Sequence, residues 1–445
     1  MYYFLFWEKW YIINDTDEEK EELTMIETIQ LLPGITLRCV RDTRFKQGCL
    51  SFQIIRPMAA SENAMNALLP SVLLRGTKKH VDLRAITHRL DELYGASVSA
   101  VVRRVGDYQT TGLYCGFMDD RFALPGDAVL APMLSFLAEL LLDSPVENGG
   151  FLNAFVDSEK KNLIATIESE LNDKRAYAMG QLLRTMCRED SFGLTRLGDQ
   201  EQVSAIDSVS LYTHYQNILR ESPIEIFYVG SAEGEQVCNL LQPLLRRLNR
   251  DCKPLPGQTP FHTCEGSTLT ETMEVSQGKL CMGFVSPITN RTPEFPAMQM
   301  FNTIFGSGMT SKLFMNIREK MSLAYSIGSG YYGSKGIVTV SAGIDFDKEE
   351  VTRQEVLQQL KACQEGDISE EELTAARQAI LSSLRATHDS PGSIEGYYAT
   401  AALSGMKMTP QQYMAAIEAV TKEQVLAAAN SLQLHTTYFL KGGSR

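Results

Sequence analysis

Between Phe305 and Gly333 the pattern of apolar and polar residues predicts a loop, a helix and a strand. A glycine-containing loop comes first, and Thr310 or Ser311 can then accept hydrogen bonds from the free N–H groups of a first helical turn. At about 3.6 residues per turn, this helix ends near Met321 and has one apolar stripe. The stripe consists of Leu313, Phe314, Ile317 and Met321, and the opposite face of Lys312, Met315 and Glu319.

The next stretch, residues 324–332, alternates as a strand with one face of small residues. Tyr325, Ile327, Ser329 and Tyr331 lie on one face, and Ala324, Ser326, Gly328 and Gly330 on the other. A strand face with so few side-chain atoms lets another backbone come close.

Alternating and helical segments recur along the rest of the chain in two similar halves. A proline-rich stretch between Arg250 and Gly266 separates them and is typical of an extended linker. We expect a first domain over 25–235, a linker over 236–265 and a second domain over 266–445, in which two helices precede a final strand. Because each half is rich in strands at its ends and in helices in its middle, the fold class is α+β: two duplicated domains, each a mixed, mostly antiparallel sheet covered by helices.

Composition narrows the classes of function. A chain of 445 residues is too long for a single ordinary hydrophobic core. The net charge of −12 argues against a nucleic-acid partner, because phosphate binding needs concentrated Lys and Arg. Nine cysteines contain no C-x-x-C pair, which indicates reduced thiols and a cytoplasmic location.

The first residues are aromatic and apolar but do not indicate a membrane span. They are too short to cross a bilayer, are interrupted by Glu8 and Lys9, and lack a small-residue cleavage site. We expect residues 1–24 to be an extension that is disordered or not native, and no membrane partner. A peripheral aromatic anchor is the alternative.

The motifs in the opening stretch resemble a known family. A small-residue loop, Ser-x-Leu-Phe, Arg-Glu-Lys and then Leu-Ala-Tyr-Ser are similar to the second half of insulinase-like (pitrilysin-type) zinc peptidases, especially the short bacterial relatives of the mitochondrial processing peptidases. The resemblance extends more weakly from about Met25 to the C-terminus, and it implies the same duplicated α+β fold, closed around a chamber.

The resemblance also implies roles for residues of this stretch. In the family, the Arg and Tyr that correspond to Arg318 and Tyr325 point at the bound peptide and donate hydrogen bonds to its scissile carbonyl. Gly306, Gly308 and Ser326 are the expected peptide-contacting residues beside them. The alternative is structural: Arg318 would be an ion-pair residue at the helix margin and Tyr325 a half-buried strand aromatic.

The first half lacks the zinc motif that catalytic members of the family carry. Their His-x-x-Glu-His precedes a Gly-Thr like that at 76–77, and the corresponding positions here are Ala67, Pro70 and Ser71. None of these side chains binds zinc or acts as a base. Pro70 also removes a backbone donor, so we expect a kink in the helix over 63–74 or a restart.

No other set of residues replaces the zinc ligands. The family's third ligand corresponds to Thr166, and Glu168 lies on a different helical face. The six histidines have no His or Cys partner at ligand spacing, and His88 points away from the apolar stripe of its own helix. We therefore expect no metal and no cofactor in this chain.

These observations favour an inactive subunit. We expect a heterodimer in which a zinc-bearing relative supplies the metal, a peptide lies between the chains, and Arg318 and Tyr325 act in trans. The alternative is a structural or assembly protein that keeps the fold as a binding surface. An independent hydrolase that uses Ser or Cys has little support, because no nucleophile lies in a recognisable elbow such as G-x-S-x-G.

Overall fold

The computed structural model describes residues 26–261 and 264–443, so the predicted extension 1–24 lies outside the described residues. In chain order, the strands are β1 (Ile26–Leu32), β2 (Ile35–Arg41), β3 (Gln47–Pro57), β4 (Ser97–Val105), β5 (Tyr108–Met118), β6 (Val146–Glu147), β7 (Gly150–Phe151), β8 (Ile224–Gly230), β9 (Thr268–Met273), β10 (Gly278–Val285), β11 (Ala324–Tyr332), β12 (Ile337–Ile344) and β13 (Gln433–Gly442).

Helices fill the middle of each half, and there are more of them than there are strands in either sheet. In chain order they are α1 (Asn63–Leu73), α2 (Leu83–Glu92), α3 (Leu130–Leu142), α4 (Asn153–Asn172), α5 (Lys174–Met186), α6 (Gln200–Ala205), α7 (Ser208–Glu221), α8 (Gly234–Leu245), α9 (Phe295–Asn302), α10 (Glu349–Gln364), α11 (Glu370–Ala386), α12 (Pro391–Ser404), α13 (Pro410–Glu418) and α14 (Lys422–Asn430). Two further segments, Thr303–Ser307 and Leu313–Lys320, are π-helical.

Two sheets repeat one strand order, which confirms the predicted α+β fold with a duplicated, mostly antiparallel sheet. The first sheet has the order β1-β2-β8-β3-β5-β4 and the second, read from its far edge, β9-β13-β10-β12-β11. Within the described residues, each large sheet contains one parallel pair, β2 with β8 and β9 with β13, at corresponding positions. In the part of the chain that the structure describes, strand β1 has no counterpart in the second sheet.

Helices cover both faces of each sheet, and the central strands are correspondingly apolar. All eight residues of β12 are buried, as are most residues of β3. Strands buried on both faces appear as continuous apolar runs rather than as strict alternation. One large core lies under the first sheet, with Leu50 and Phe52 at its centre, and another under the second, with Met282 and Phe284.

The two halves exchange one helix each, which the predicted domain boundaries did not anticipate. Helix α5, from the first half, packs on β10 and β13 of the second sheet, where Ala178 and Leu182 contact Tyr438 and Leu440. Helix α12, from the second half, packs on β3 and β8 of the first sheet through residues that include Ile394. The ranges 25–235 and 266–445 therefore describe the duplication in sequence but not two separately packed units.

The predicted linker, 236–265, starts too early. Helix α8 covers Gly234–Leu245 and packs on β1, β2 and α3, because its buried Val237 and Leu241 belong to the first core. The irregular part of the linker is held to both halves, since Nε2 of Gln258 donates to the carbonyl oxygens of Val105 and Leu403.

A second correction concerns the end of the chain. Three helices, α12 to α14, precede β13, whereas two were predicted from the sequence.

Buried charges join the halves at this linker. Nζ of Lys335, which has no exposed side-chain surface, lies 2.5 Å from Oδ1 of Asp107 and 2.9 Å from Oδ1 of Asp190. It also donates to the carbonyl oxygen of Thr259 at 3.2 Å. A second buried carboxylate, Glu395 of α12, accepts a bidentate pair of hydrogen bonds from Arg103 of β4. These contacts fix the orientation of one half against the other.

None of the helices in the described part of the chain is both long and apolar enough to cross a membrane.

Candidate functional site

The helix that carries the zinc motif in catalytic relatives is present here as α1, without the motif's side chains. Ala67 and Pro70 are buried and Ser71 is half-buried. The expected restart at Pro70 is wrong, because one helix runs from Asn63 to Leu73 through it, while the expected kink stays a prediction. The carbonyl oxygen of Asn66, which has no N–H donor at Pro70, instead accepts a hydrogen bond of 2.6 Å from Oγ1 of Thr111.

Beside these positions an amide and imidazole network fills the interior. Oδ1 of Asn66 lies 2.7 Å from Nε2 of His214, and its amide nitrogen donates to Gln109 at 3.0 Å. Burial lowers the pKa of His214, so its imidazole is neutral at neutral pH. These contacts are made between protein atoms of the interior, which gives the network a structural role.

Helix α4 supplies no ligand in place of the family's glutamate. Thr166 is exposed, and its hydroxyl donates to the carbonyl oxygen of Asn162 within the helix. The buried acid on α4 is Glu159, which pairs with Arg75 after the end of α1 at 3.3 Å. Among residues 26–261 and 264–443, no three His, Cys, Asp or Glu side chains come together as a metal-binding group.

The motif of the second half builds a helix and an edge strand as predicted, with two differences. Ser311 caps the π-helical segment, since its hydroxyl oxygen accepts from the backbone N–H of Phe314, and Ile317 is fully buried. Met321 is exposed instead of buried, because the segment ends at Lys320 and the chain turns away. Lys312 is buried instead of solvated, because it precedes the segment and its Nζ lies 3.0 Å from Glu372 of α11.

A cleft of about 700 Å³ lies between this motif and the N-terminus of α5. Its floor is the small-residue face of β11, where Gly328 pairs with Ser341 and Gly330 with Thr339 of β12. The predicted access to a bare strand face is therefore realised as an open cleft. The lining residues are Asp173, Arg175, Ala176, Met179, Gly306, Ser307, Gly308, Met309, Phe314, Ile327, Gly328, Ser329, Gly330, Tyr332, Thr339 and Ser341.

Both predicted glycines line this cleft, for different physical reasons. A Cβ atom at Gly306 would lie 2.7 Å from Cδ1 of Leu313 and 2.7 Å from Oγ of Ser329, so close packing requires glycine there. A Cβ atom at Gly308 would meet no atom within 4 Å. Side chains at position 308 would project into open space and narrow the cleft.

Arg318 lies at the margin of the cleft. Its guanidinium carbon is 4.7 Å from the centroid of the Phe314 ring, which itself lines the cleft. Its Nε is 3.7 Å from the carboxylate of Glu319, and both side chains are about half exposed. A cation stacked on an aromatic face and a loose surface pair hold this side chain weakly, so the guanidinium is free to turn toward a ligand.

Tyr325 lies at a bulge in the edge strand. The register of β11 against β12 shifts between Ala324 and Ser326, and the Tyr325 side chain is 61% exposed. This exposure excludes the half-buried aromatic that was the structural alternative. The phenol donates a hydrogen bond of 2.8 Å to Oδ1 of Asp345, and this bond raises the pKa of Tyr325. Ser326 is exposed opposite Gly343, at the end of the floor face.

Two residues that organise the site were missed in the sequence. Asp345 could have been found by pairing residues outward from the turn between β11 and β12, which places the end of β12 beside the start of β11. Phe314 was assigned to the buried stripe, although its ring lines the cleft and supports Arg318. The residues from α5 could not be found this way, because their approach depends on the helix exchange.

Comparison with known proteins identifies the family. The family described as "Peptidase M16 inactive domain" matches residues 205–380. The "Probable inactive metalloprotease YmfF" of Bacillus subtilis (strain 168) is 31% identical over 409 residues, which cover 92% of this chain and 96% of the relative.

Solved structures have the same fold. A conserved protein from Enterococcus faecalis V583 superposes with a TM-score of 0.88 at 25% identity, covering 94% of this chain and 99% of that chain. A peptidase M16 inactive domain from Pseudomonas fluorescens superposes with a TM-score of 0.78 at 16% identity, covering 94% of this chain and 98% of that one. The chain therefore belongs to the M16 family of insulinase-like (pitrilysin-type) zinc peptidases, as a peptidase-like member of the inactive type.

Proposed function

We propose that this chain is the non-catalytic subunit of a zinc metallopeptidase, and that it supplies Arg318 and Tyr325 to a peptide held against a zinc-bearing relative. The observation that carries the proposal is a contrast within one molecule. The zinc positions hold Ala67, Pro70 and Ser71, whereas Arg318 and Tyr325 of the motif are both exposed, and the ring under Arg318 lines an open cleft.

The chemistry suits those two side chains. Hydrolysis of an amide builds negative charge on the carbonyl oxygen, and donors placed in advance stabilise it by roughly 3 kcal/mol each. A guanidinium and a phenol are such donors. Arg318 would lose only weak contacts on binding a peptide. The phenol of Tyr325 would have to break its hydrogen bond to Asp345 in order to donate to the peptide carbonyl.

The geometry of the edge strand suits a peptide in extended conformation. Strand β11 is at the edge of the second sheet, and the cleft runs beside it past Gly306 and Gly308. A peptide that adds to a sheet edge is held through main-chain hydrogen bonds, which carry little sequence preference. Ser326, exposed at the start of β11, would contact the same peptide near Tyr325.

The partner and the compartment are parts of the same proposal. Zinc and its activated water would come from the relative in a heterodimer, and this chain would bind no metal or other cofactor of its own. We place the heterodimer in the cytoplasm, a location supported by the nine cysteines, all of which are free thiols in this structure.

Mixing the subunits tests the proposal. The isolated chain with added zinc should leave a fluorogenic peptide intact, and a zinc-bearing M16 relative should cleave it much faster when this chain is added. A chain that cleaves alone as fast as the mixture would contradict the proposal. A relative that binds this chain without any gain in rate would instead identify a structural or assembly protein.

A further inference from the structure

The second sheet ends in an open edge whose counterpart in the first sheet is occupied. Strand β9 corresponds to β2, and β2 pairs on its outer side with the antiparallel strand β1. Within residues 26–261 and 264–443, no strand pairs with the outer side of β9. Among the described residues, the position that β1 occupies in the first sheet therefore has no strand in the second.

The backbone groups that face outward from β9 belong to three threonines. The N–H of Thr437 in β13 donates to the carbonyl oxygen of Ser267 at 2.9 Å. In a parallel pair, the N–H and C=O of one residue point to the same neighbour, and the direction alternates along the strand. The groups of Thr268, Thr270 and Thr272 therefore point away from β13, and all three side chains are exposed.

This edge lacks the features that protect the other edges. The register of β1 shifts between Gln30 and Leu32, and β11 has its bulge at Tyr325. The remaining edge strand, β4, carries two arginines near its end. Strand β9 pairs in regular register and has neither a proline nor a Lys or Arg. Its one charged residue, Glu271, is a carboxylate, and an edge in regular register is a template for pairing with another chain.

We propose that β9 is a dimerisation edge that pairs antiparallel with β9 of a second copy of this chain. The three outward threonines are symmetric about Thr270, so a twofold axis can pass through a pair of Thr270 residues. Thr268 then faces Thr272 of the second copy, and each of these pairs exchanges two backbone hydrogen bonds. The result is a continuous sheet across two copies.

Side chains agree with this register. Threonines pair with threonines on one face, a combination that stabilises antiparallel strands. On the other face, Glu271 lies opposite Leu269 of the second copy, so no like charges meet. The Glu271 carboxylate is already held within its own chain, since it accepts hydrogen bonds from Tyr177 and Tyr438.

The dimer uses a different edge from the one proposed for peptide, because β9 and β11 are at opposite edges of the second sheet. Dimerisation through β9 therefore leaves the motif with Arg318 and Tyr325 accessible. It is independent of the proposed function and requires no zinc-bearing relative.

Sedimentation of the isolated full chain tests the proposal with a matched pair of variants. Thr270→Pro removes one outward N–H and leaves the bonds to β13 in place, whereas Thr270→Val keeps the N–H and the branched side chain. We expect a reversible dimer for the wild type and for Thr270→Val, and a dissociation constant at least about tenfold higher for Thr270→Pro. At a concentration where the wild type is monomeric, the thermal midpoint of Thr270→Pro should equal that of the wild type, because dimerisation no longer contributes to it. A wild-type monomer up to about 100 μM would overturn the proposal.

Cysteine cross-linking tests the register. Facing residues in a hydrogen-bonded antiparallel pair have Cα atoms about 5.5 Å apart, within the range that a disulfide spans. Thr270→Cys should therefore form a covalent dimer on mild oxidation. Thr272→Cys should not form a covalent dimer, because in this register the two copies of residue 272 are separated by four residues along the strands. The wild type measures the background of cross-linking through native cysteines. Equal cross-linking at both positions would overturn the proposed pairing.

Discussion

The phenol of Tyr325 donates a hydrogen bond of 2.8 Å to Oδ1 of Asp345, across the start of the hairpin formed by β11 and β12. The same carboxylate pairs with Lys348 at 3.0 Å, and both contacts lower the pKa of Asp345. The carboxylate is therefore ionised at neutral pH and accepts the hydrogen bond of the phenol. The phenol, whose usual pKa of about 10 is raised by this bond, is protonated at neutral pH and is the hydrogen-bond donor that a peptide carbonyl requires.

Asp345→Asn should lower the pKa of Tyr325 toward its usual value of about 10, because the charge that opposes ionisation of the phenol is lost. NMR titration of tyrosines labelled at Cζ measures this pKa, and Tyr325→Phe assigns the resonance. Asp347→Asn is the matched control, since it removes a nearby carboxylate that does not bond the phenol. An unchanged titration of Tyr325 in Asp345→Asn would show that the hydrogen bond is not formed in solution.

Lys335→Met should destabilise the chain by about 3 to 5 kcal/mol, because Asp107 and Asp190 would remain buried without their cation. The midpoint of urea unfolding measures the loss. Lys361→Met makes the same chemical change in an exposed pair with Glu365 and should cost at most about 1 kcal/mol. Equal losses for the two variants would mean that the buried cluster does not join the halves.

His214 should make the stability of the chain depend on pH. Burial lowers its pKa in the folded state below the usual value of about 6.5, so the unfolded chain binds more protons as pH falls below that value. Stability is therefore lost with decreasing pH from about 6.5 downward, toward the folded pKa. His214→Gln should reduce the difference between thermal midpoints at pH 7.5 and pH 5.5, and a difference as large as that of the wild type would exclude this contribution.

Much of the fold followed from local patterns. The predicted strand over 324–332 has the same bounds as β11, since alternation and turn residues are read over short distances. The exchange of α5 and α12 did not follow, because the apolar stripe of a helix does not indicate which sheet it covers.

The sequence named candidate site residues but not their arrangement. The motif placed Arg318 and Tyr325 on neighbouring elements. Counting back from the Gly-Thr at 76–77 showed that Ala67, Pro70 and Ser71 stand where the zinc motif has its functional residues. The roles of Asp345 and Phe314 depend on a strand bulge and a π-helical turn. Both features change the direction of the side chains around them. Neither leaves a clear signal in the sequence, where a helix is recognised by a period of about 3.6 residues and a strand by a period of 2.

The most direct test of the proposed division of labour is the peptidase activity of the zinc-bearing relative mixed with variants of this chain. Arg318→Ala should lower kcat/KM about 100-fold, and Tyr325→Phe by at least about tenfold, because each removes a donor to the developing oxyanion. Lys320→Ala, an exposed substitution in the same segment, should leave the rate unchanged, and all three variants should bind the relative as tightly as the wild type. Full activity of mixtures that contain Arg318→Ala and Tyr325→Phe would contradict the account.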